Sequence, residues 1–348
     1  MIVLLIASYV SIPPALALLT EVNDDFMILT PDKNIYDFMS IMFDKNKIEL
    51  FEIPIASLKT FNPVTLLHNI KQINNYKKKV LQVINSIHDC VVYFDLVMYC
   101  DFEFWIIKKL SKRNKIFYLP STERKNIAID QQTMLALWYG FLNRAIYHTK
   151  LKPCLHGTDL TLLLTDDFLH DVGATIYQQI IDYNNLSLNI RDKFKLKIGK
   201  VLLLCGGVVD YIVEKEKYIK AVDEIIDFVI EKYGEDNIYI KAHPRFQEYY
   251  SKENQLKNIP AFLPAPLVTD LTDIVIGYSS SALYESTLIG KKVVSFLKMI
   301  EPTDKRKFPA LIEFLNTNMD KSNPIYFPET IDELKSLLNS FDKGDKND

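Results

Sequence analysis

The sequence predicts an α/β protein of two domains, each built on a parallel sheet. Three observations point there. Short β-branched runs alternate with longer helical ones through the first part of the chain, which is the pattern of βαβ units. The alternation gives way to a mostly helical region and a polar stretch at 184–197, then restarts. A chain of 348 residues is too long for one small core and suits two ordinary domains.

Taken in order, the first half offers strands at 2–7, 26–29, 48–53, 90–94 and 116–119, with helices at 63–86 and 102–112 between them. Residues 1–19 imitate a signal peptide in their hydrophobicity, but no basic stretch leads them and Pro13-Pro14 interrupts them before Glu21. Too few uninterrupted apolar residues remain to span a bilayer. They read instead as a buried strand followed by a helix at 13–22 entered through proline. Helices are expected at 131–147 and 176–183, with a strand at 161–164. The second half repeats the theme: strand 201–204, helix 212–233, strands 238–240 and 274–276, a helix ending at Gly290, and strand 292–296. The expected division is 1–190, 191–342 and a solvated tail at 343–348.

Composition narrows the class. Hydrophobic residues at 48% against charged residues at 24% describe a soluble globular chain. A net charge of -3 gives no global pull toward nucleic acid. Cys90, Cys100, Cys154 and Cys205 are scattered, with no CxxC or Cys/His metal spacing, as expected of a reduced cytoplasmic protein. No Asp-x-Asp occurs in the chain.

Two motifs carry chemistry. Lys241-Ala242-His243-Pro244-Arg245 ends the run Ile238-Tyr239-Ile240, and Gly277-Tyr278-Ser279-Ser280-Ser281 ends Ile274-Val275-Ile276 and opens a helical pattern. In an open parallel sheet both strand ends fall on the carboxyl edge, where ligands bind. A helix N-terminus with hydroxyls suits phosphate, and a histidine beside it stabilises a phosphate leaving group. Separately, a His-Pro is ordinarily a turn and a serine run ordinarily a helix cap. Together, in order, they point to an enzyme acting on a phosphorylated, nucleotide-activated substrate.

Residues 238–245 resemble the His-Pro motif of bacterial GT-B sialyltransferases, both lipooligosaccharide and capsular polysialic acid enzymes, and 276–283 is similar to their serine motif. Val201-Leu202-Leu203-Leu204-Cys205-Gly206-Gly207, with Asp210 after it, resembles the strand and loop that open their nucleotide domain. The resemblance extends over about 200–297 and is architectural before that. Kdo transferases and CDP-glycerol polymerases have related elements. The resemblance implies a GT-B fold, two Rossmann-like domains facing each other across a cleft, with acceptor bound by the amino domain and nucleotide by the carboxyl domain. It implies inverting transfer of sialic acid from CMP-sialic acid to a bacterial surface glycan, an oligosaccharide or glycolipid, without metal or other cofactor. His243 would stabilise or protonate the departing phosphate; Ser279, Ser280 and Ser281 would bind it. Gly206 and Gly207 would let the backbone approach the nucleotide, with Lys241, Pro244 and Arg245 beside it and Glu285 reaching a ribose hydroxyl. Lys241 and Arg245 read equally well as solvated surface groups, and Glu285 as an exposed helix residue.

The family's acidic-Gly motif at the end of an amino-domain strand is missing: 116–119 runs into Pro120-Ser121-Thr122-Glu123. Asp210 ranks first as the base, Glu123 second and Asp171, in Asp171-Val172-Gly173, third. That departure also leaves a non-catalytic glycan- or nucleotide-binding protein as the rival from another class. Basic clusters at 77–79, 108–113 and 305–307 are ordinarily solvated helix faces; read functionally, they attract an acidic glycan acceptor or an anionic inner membrane leaflet. His68, His88, His148, His156 and His170 have no ligand spacing, and Trp105 and Trp138 sit in helical patterns as core residues.

Overall fold

A computed structural model describes all residues except 23–24, 55–56, 96–97, 100, 121–128, 131–132, 157–158, 180, 206–212, 244–255, 304, 306–307 and 345–348. The chain divides into two compact units, Met1–Ile181 and Asp182–Asp348.

The first unit runs β1 (Ile2–Leu5), α1 (Ile12–Glu21), β2 (Phe26–Thr30), α2 (Lys33–Met42), β3 (Ile48–Leu50), α3 (Pro63–Ile84), β4 (Val91–Phe94), β5 (Met98–Tyr99), α4 (Asp101–Leu110), β6 (Lys115–Tyr118), β7 (Ile129–Asp130), α5 (Met134–Tyr147), β8 (Lys152–His156), β9 (Asp159–Leu163), α6 (Asp166–Asp171) and β10 (Thr175–Ile176). Six strands pair in parallel in the order β10-β6-β4-β1-β2-β3. β1 is central and buried along its whole length, which is why it reads as an unbroken apolar run. Helix starts follow local chemistry: proline opens α1, and Asp32, Asn62 and Thr133 cap α2, α3 and α5 with their side chains. A separate antiparallel sheet, β5-β9-β8-β7, holds the strand expected at 161–164.

The second unit runs α7 (Tyr183–Phe194), β11 (Val201–Cys205), α8 (Lys215–Tyr233), β12 (Ile238–Ala242), β13 (Lys257–Ile259), β14 (Ile274–Gly277), α9 (Ser281–Leu288), β15 (Lys292–Ser295), α10 (Phe308–Asn318), β16 (Ile325–Tyr326) and α11 (Ile331–Gly344). Its six strands are parallel in the order β13-β12-β11-β14-β15-β16. Val201, Leu203, Ile240, Ile276 and Val294 join Val222, Ile226 and Val229 of α8 in one buried cluster.

Two expectations change. Residues 176–179 are not helical: Thr175 and Ile176 pair with β6, and the Tyr177 amide extends that pairing to the Tyr118 carbonyl. A capping side chain arrives only at Asp182, and the helix starts after it. The polar stretch 184–197, expected to hold the boundary, is mostly this same helix, α7, whose Leu186 and Ile190, one turn apart, are buried. It continues through residue 190, and the division between the units falls before it.

Candidate functional site

Both chemical motifs stand at carboxyl ends of strands in the second unit's sheet. Leu204 of β11 faces Lys241 of β12 on one side and Gly277 of β14 on the other. With neighbouring strands about 4.8 Å apart, Lys241 and Gly277 are roughly 9.6 Å from each other across β11. His243 lies just past β12 and Ser279 just past β14. From β11 the chain adds β12 and β13 outward on one side, then returns to add β14, β15 and β16 on the other. The edge between β11 and β14 is thus a topological switch point, where open α/β sheets hold ligands.

The serine run is held firmly from behind. Ser280 is the N-cap of α9, its hydroxyl oxygen accepting from the Ala282 amide at 3.3 Å. Its oxygen is engaged as a cap, and no acceptor for its proton is found among the described residues. Ser279, Ser280 and Ser281 are half-buried at the positive end of the helix dipole. Ser295 Oγ donates to the Tyr278 carbonyl at 2.6 Å, and the buried Tyr278 ring packs against Tyr218 and Phe296. A side chain at Gly277 would meet Leu204 Cβ at 3.1 Å and Leu283 Cδ2 at 3.2 Å, so glycine is what lets α9 pack close against β14. At the far end of α9, Asn323 Nδ2 donates to the carbonyls of Thr287 and Lys291, each at 2.9 Å.

The other predicted residues divide. His243 is half-buried at the edge. Lys241 is not a solvated group: it is 4% exposed, and its Nζ donates to the carbonyls of Ala242 at 3.3 Å and Ala261 at 3.1 Å. Burial pushes its ammonium down to about 7. Glu285 is not an exposed helix residue either, being buried within α9. Burial raises the Tyr183 phenol, and the charge of Glu285 raises it further, so α7 brings Tyr183 close to this carboxylate. Gly206, Gly207, Asp210, Pro244, Arg245 and Glu123 lie outside the described residues. Asp171 closes α6, pairs with Lys108 and precedes Gly173 at φ 62°, which is the turn its sequence suggests.

An acid the sequence reading passed over stands in the first unit. Asp95 follows β4 directly, and β4 pairs with β1 at that sheet's own switch point. Asp95 is 2% exposed, and its carbonyl accepts from Ser11 Oγ at 3.2 Å. Its signal was present, as the first polar residue after Val91-Val92-Tyr93-Phe94. Tyr183 had none, since nothing local in α7 announces a partner in α9. Trp105 is buried in the core, whereas Trp138 is half-buried. Among the described residues no group of His, Cys, Asp and Glu is arranged to hold a metal ion.

No protein-family model matches the sequence, and no curated protein does either. Among solved structures, the wall teichoic acid polymerase TagF, as its H444N variant, is similar at a TM-score of 0.50 with 13% identity, over 99% of this chain and 80% of that one. The UDP-GlcNAc 2-epimerase of Methanocaldococcus jannaschii is similar at 0.48 with 14% identity, over 97% and 92%. The ADP-heptose lipopolysaccharide heptosyltransferase II of E. coli is similar at 0.39 with 11% identity, over 98% and 100%. The TagF likeness and the two six-stranded parallel sheets agree on the fold: an α/β chain of GT-B class.

Proposed function

We propose that this chain is a glycosyltransferase that takes its sugar from a nucleotide-activated donor bound at the carboxyl edge of the second unit's sheet. The observation that carries this is the pairing of His243 after β12 with Ser279–Ser281 at the start of α9, on either side of β11 at the switch point. In the reaction an acceptor hydroxyl attacks the anomeric carbon, the bond from that carbon to the phosphate oxygen breaks, and the sugar inverts. A carboxylate takes the hydroxyl proton, with Asp210 the first candidate and Glu123 the second. The departing phosphate gains charge, which the serine hydroxyls, the α9 amides and His243 stabilise. Glu285 orients the ribose, and Lys241, its ammonium buried among carbonyls, supports β12 rather than the donor.

The donor we favour is CMP-sialic acid and the acceptor a bacterial surface glycan, on the resemblance of 238–245 and 276–283 to sialyltransferase motifs. The enzyme then works in the cytoplasm at the inner membrane. A second reading, transfer of the CDP-glycerol or Kdo type, draws support from the likeness to a wall teichoic acid polymerase. The test is donor hydrolysis and calorimetric binding across CMP-, CDP-, UDP- and ADP-activated compounds, run with and without EDTA. CMP-sialic acid hydrolysis that survives chelation is the expected result. Turnover only of CDP-glycerol or CMP-Kdo selects the second reading, and nucleotide binding without turnover of any donor leaves a binding protein.

A further inference from the structure

The first unit displays an apolar surface that its own fold leaves uncovered. Phe61, Val64 and Leu67 at the start of α3, with Met134, Leu137 and Phe141 on α5, are each between 61% and 76% exposed. Scattered surface apolar residues are ordinary, but six large ones on two adjoining segments are not. The segments adjoin because Trp138 Nε1 donates to the Thr60 carbonyl at 3.1 Å, and Trp138 stacks on Phe141 at 5.8 Å. Farther along, Lys77 of α3 bonds to the Ile146 carbonyl of α5 and stands 4.7 Å over the Tyr147 ring. The two helices therefore run side by side in the same sense, with their apolar ends together.

Each helix changes character along that outward face. On α3, Val64 and Leu67 are followed at helical spacing by Lys71 and Lys78, opposite the buried Ile73, Val80 and Ile84. On α5, Met134, Leu137 and Phe141 are followed by Arg144, and Lys150 and Lys152 come just after the helix, all exposed. No Asp or Glu occurs anywhere in 57–88 or 131–158, although the whole chain carries a net charge of -3. Lys79 pairs with Glu52 from outside these segments; Lys71, Lys78, Arg144 and Lys150 have no carboxylate partner among the described residues.

We infer that this face docks the protein on an anionic phospholipid bilayer, with the six apolar side chains entering the interface and the cations beside them meeting headgroup phosphates. An apolar surface next to an all-cationic one suits a membrane interface, where each part has its own layer to meet. A second copy fits worse, because self-pairing would bring the same cations together with no Asp or Glu in 57–88 or 131–158 to oppose them. The inference does not depend on which donor the second unit binds.

The test is flotation of the full chain with vesicles of phosphatidylcholine alone or mixed with phosphatidylglycerol, at low and high salt. Binding is expected only with phosphatidylglycerol present, and high salt should strip it as the Debye length falls to about 3 Å at 1 M. Leu137→Ser with Phe141→Ser should lower partitioning about tenfold or more. Lys71→Gln and Arg144→Gln should each lower it about fivefold. All four sites are exposed, so melting temperatures should stay near that of the parent and serve as the folding control. Equal binding to both vesicle types, or variants that bind like the parent, would overturn the proposal. So would a dimer in light scattering that Leu137→Ser with Phe141→Ser makes monomeric while vesicles capture nothing, which would assign the face to a second copy.

Discussion

Replacing Lys241 with methionine tests how the sheet beneath the site is held. The ammonium is buried, bonded only to the carbonyls of Ala242 and Ala261 among the described residues, and titrates at about 7 instead of 10.5. Between those two values the unfolded chain holds the proton more tightly than the native one, so unfolding takes protons up and stability rises with pH. Below about pH 7 both states are protonated and the full cost of the buried charge is present; above the unfolded value it is gone. Across such a window the slope approaches 1.4 kcal/mol per pH unit, and integrating from pH 7 to pH 9 gives about 2 kcal/mol. Methionine matches the volume, removes the titration, and gives up two hydrogen bonds worth about 1 kcal/mol each. Lys241→Met should therefore be about 2 kcal/mol more stable than the parent at pH 7 and close to it at pH 9. Urea unfolding of both proteins at the two pH values measures this, because every other titrating group cancels in the difference. A difference that does not change with pH would refute the buried-amine account, whatever its absolute size.

Four further outcomes bear on the site. His243→Ala should lower turnover by about two orders of magnitude or more while the melting temperature holds, since the residue lies beyond the strand; near-parental turnover removes it from the mechanism. Ser279→Ala with Ser280→Ala should weaken nucleotide binding by calorimetry more than acceptor binding, and unchanged nucleotide affinity would reduce the run to a helix cap. Gly277→Ala would press on Leu204 and Leu283 and should cost about 1–3 kcal/mol in urea unfolding, with nucleotide affinity falling as α9 shifts; a variant as stable as the parent contradicts the close packing of α9 on β14. Asp210→Asn should abolish transfer yet leave donor binding intact, with Glu123→Gln milder; the reverse ranking moves the base to the first unit.

Much of this fold is legible in sequence, because central parallel strands bury both faces and so read as unbroken apolar runs. β1, β4, β11 and β14 each lie within a residue or two of the run that announces them. The two motifs were legible for the same reason: each directly follows such a run. Pairing order was not, because β11 meets β14 only through contacts between distant segments, and no local pattern encodes which strand becomes the middle one. Burial of a polar residue was equally hidden. Lys241 and Glu285 read equally as site residues and as surface groups until Ala261 and the packing around α9 are in place. α7 was read as a boundary because Leu186 and Ile190 are its only buried apolar residues among the described ones, too few to announce a packed helix.

The base of the proposed reaction is where these two limits meet. Sequence comparison looks for it after the strand at 116–119, but β4, not β6, is the strand that pairs with β1. By the switch-point rule the first unit's acid belongs after β4, where Asp95 stands. Yet Asp95 is 2% exposed, and a base in the proposed reaction must come within about 3 Å of the acceptor hydroxyl. Topology thus points to Asp95 and its burial counts against it, while its backbone carbonyl holds the strand end to the Ser11 hydroxyl. In the proposed reaction the base stays with Asp210 and after it Glu123, and transfer unchanged in both Asp210→Asn and Glu123→Gln would pass the role to Asp171.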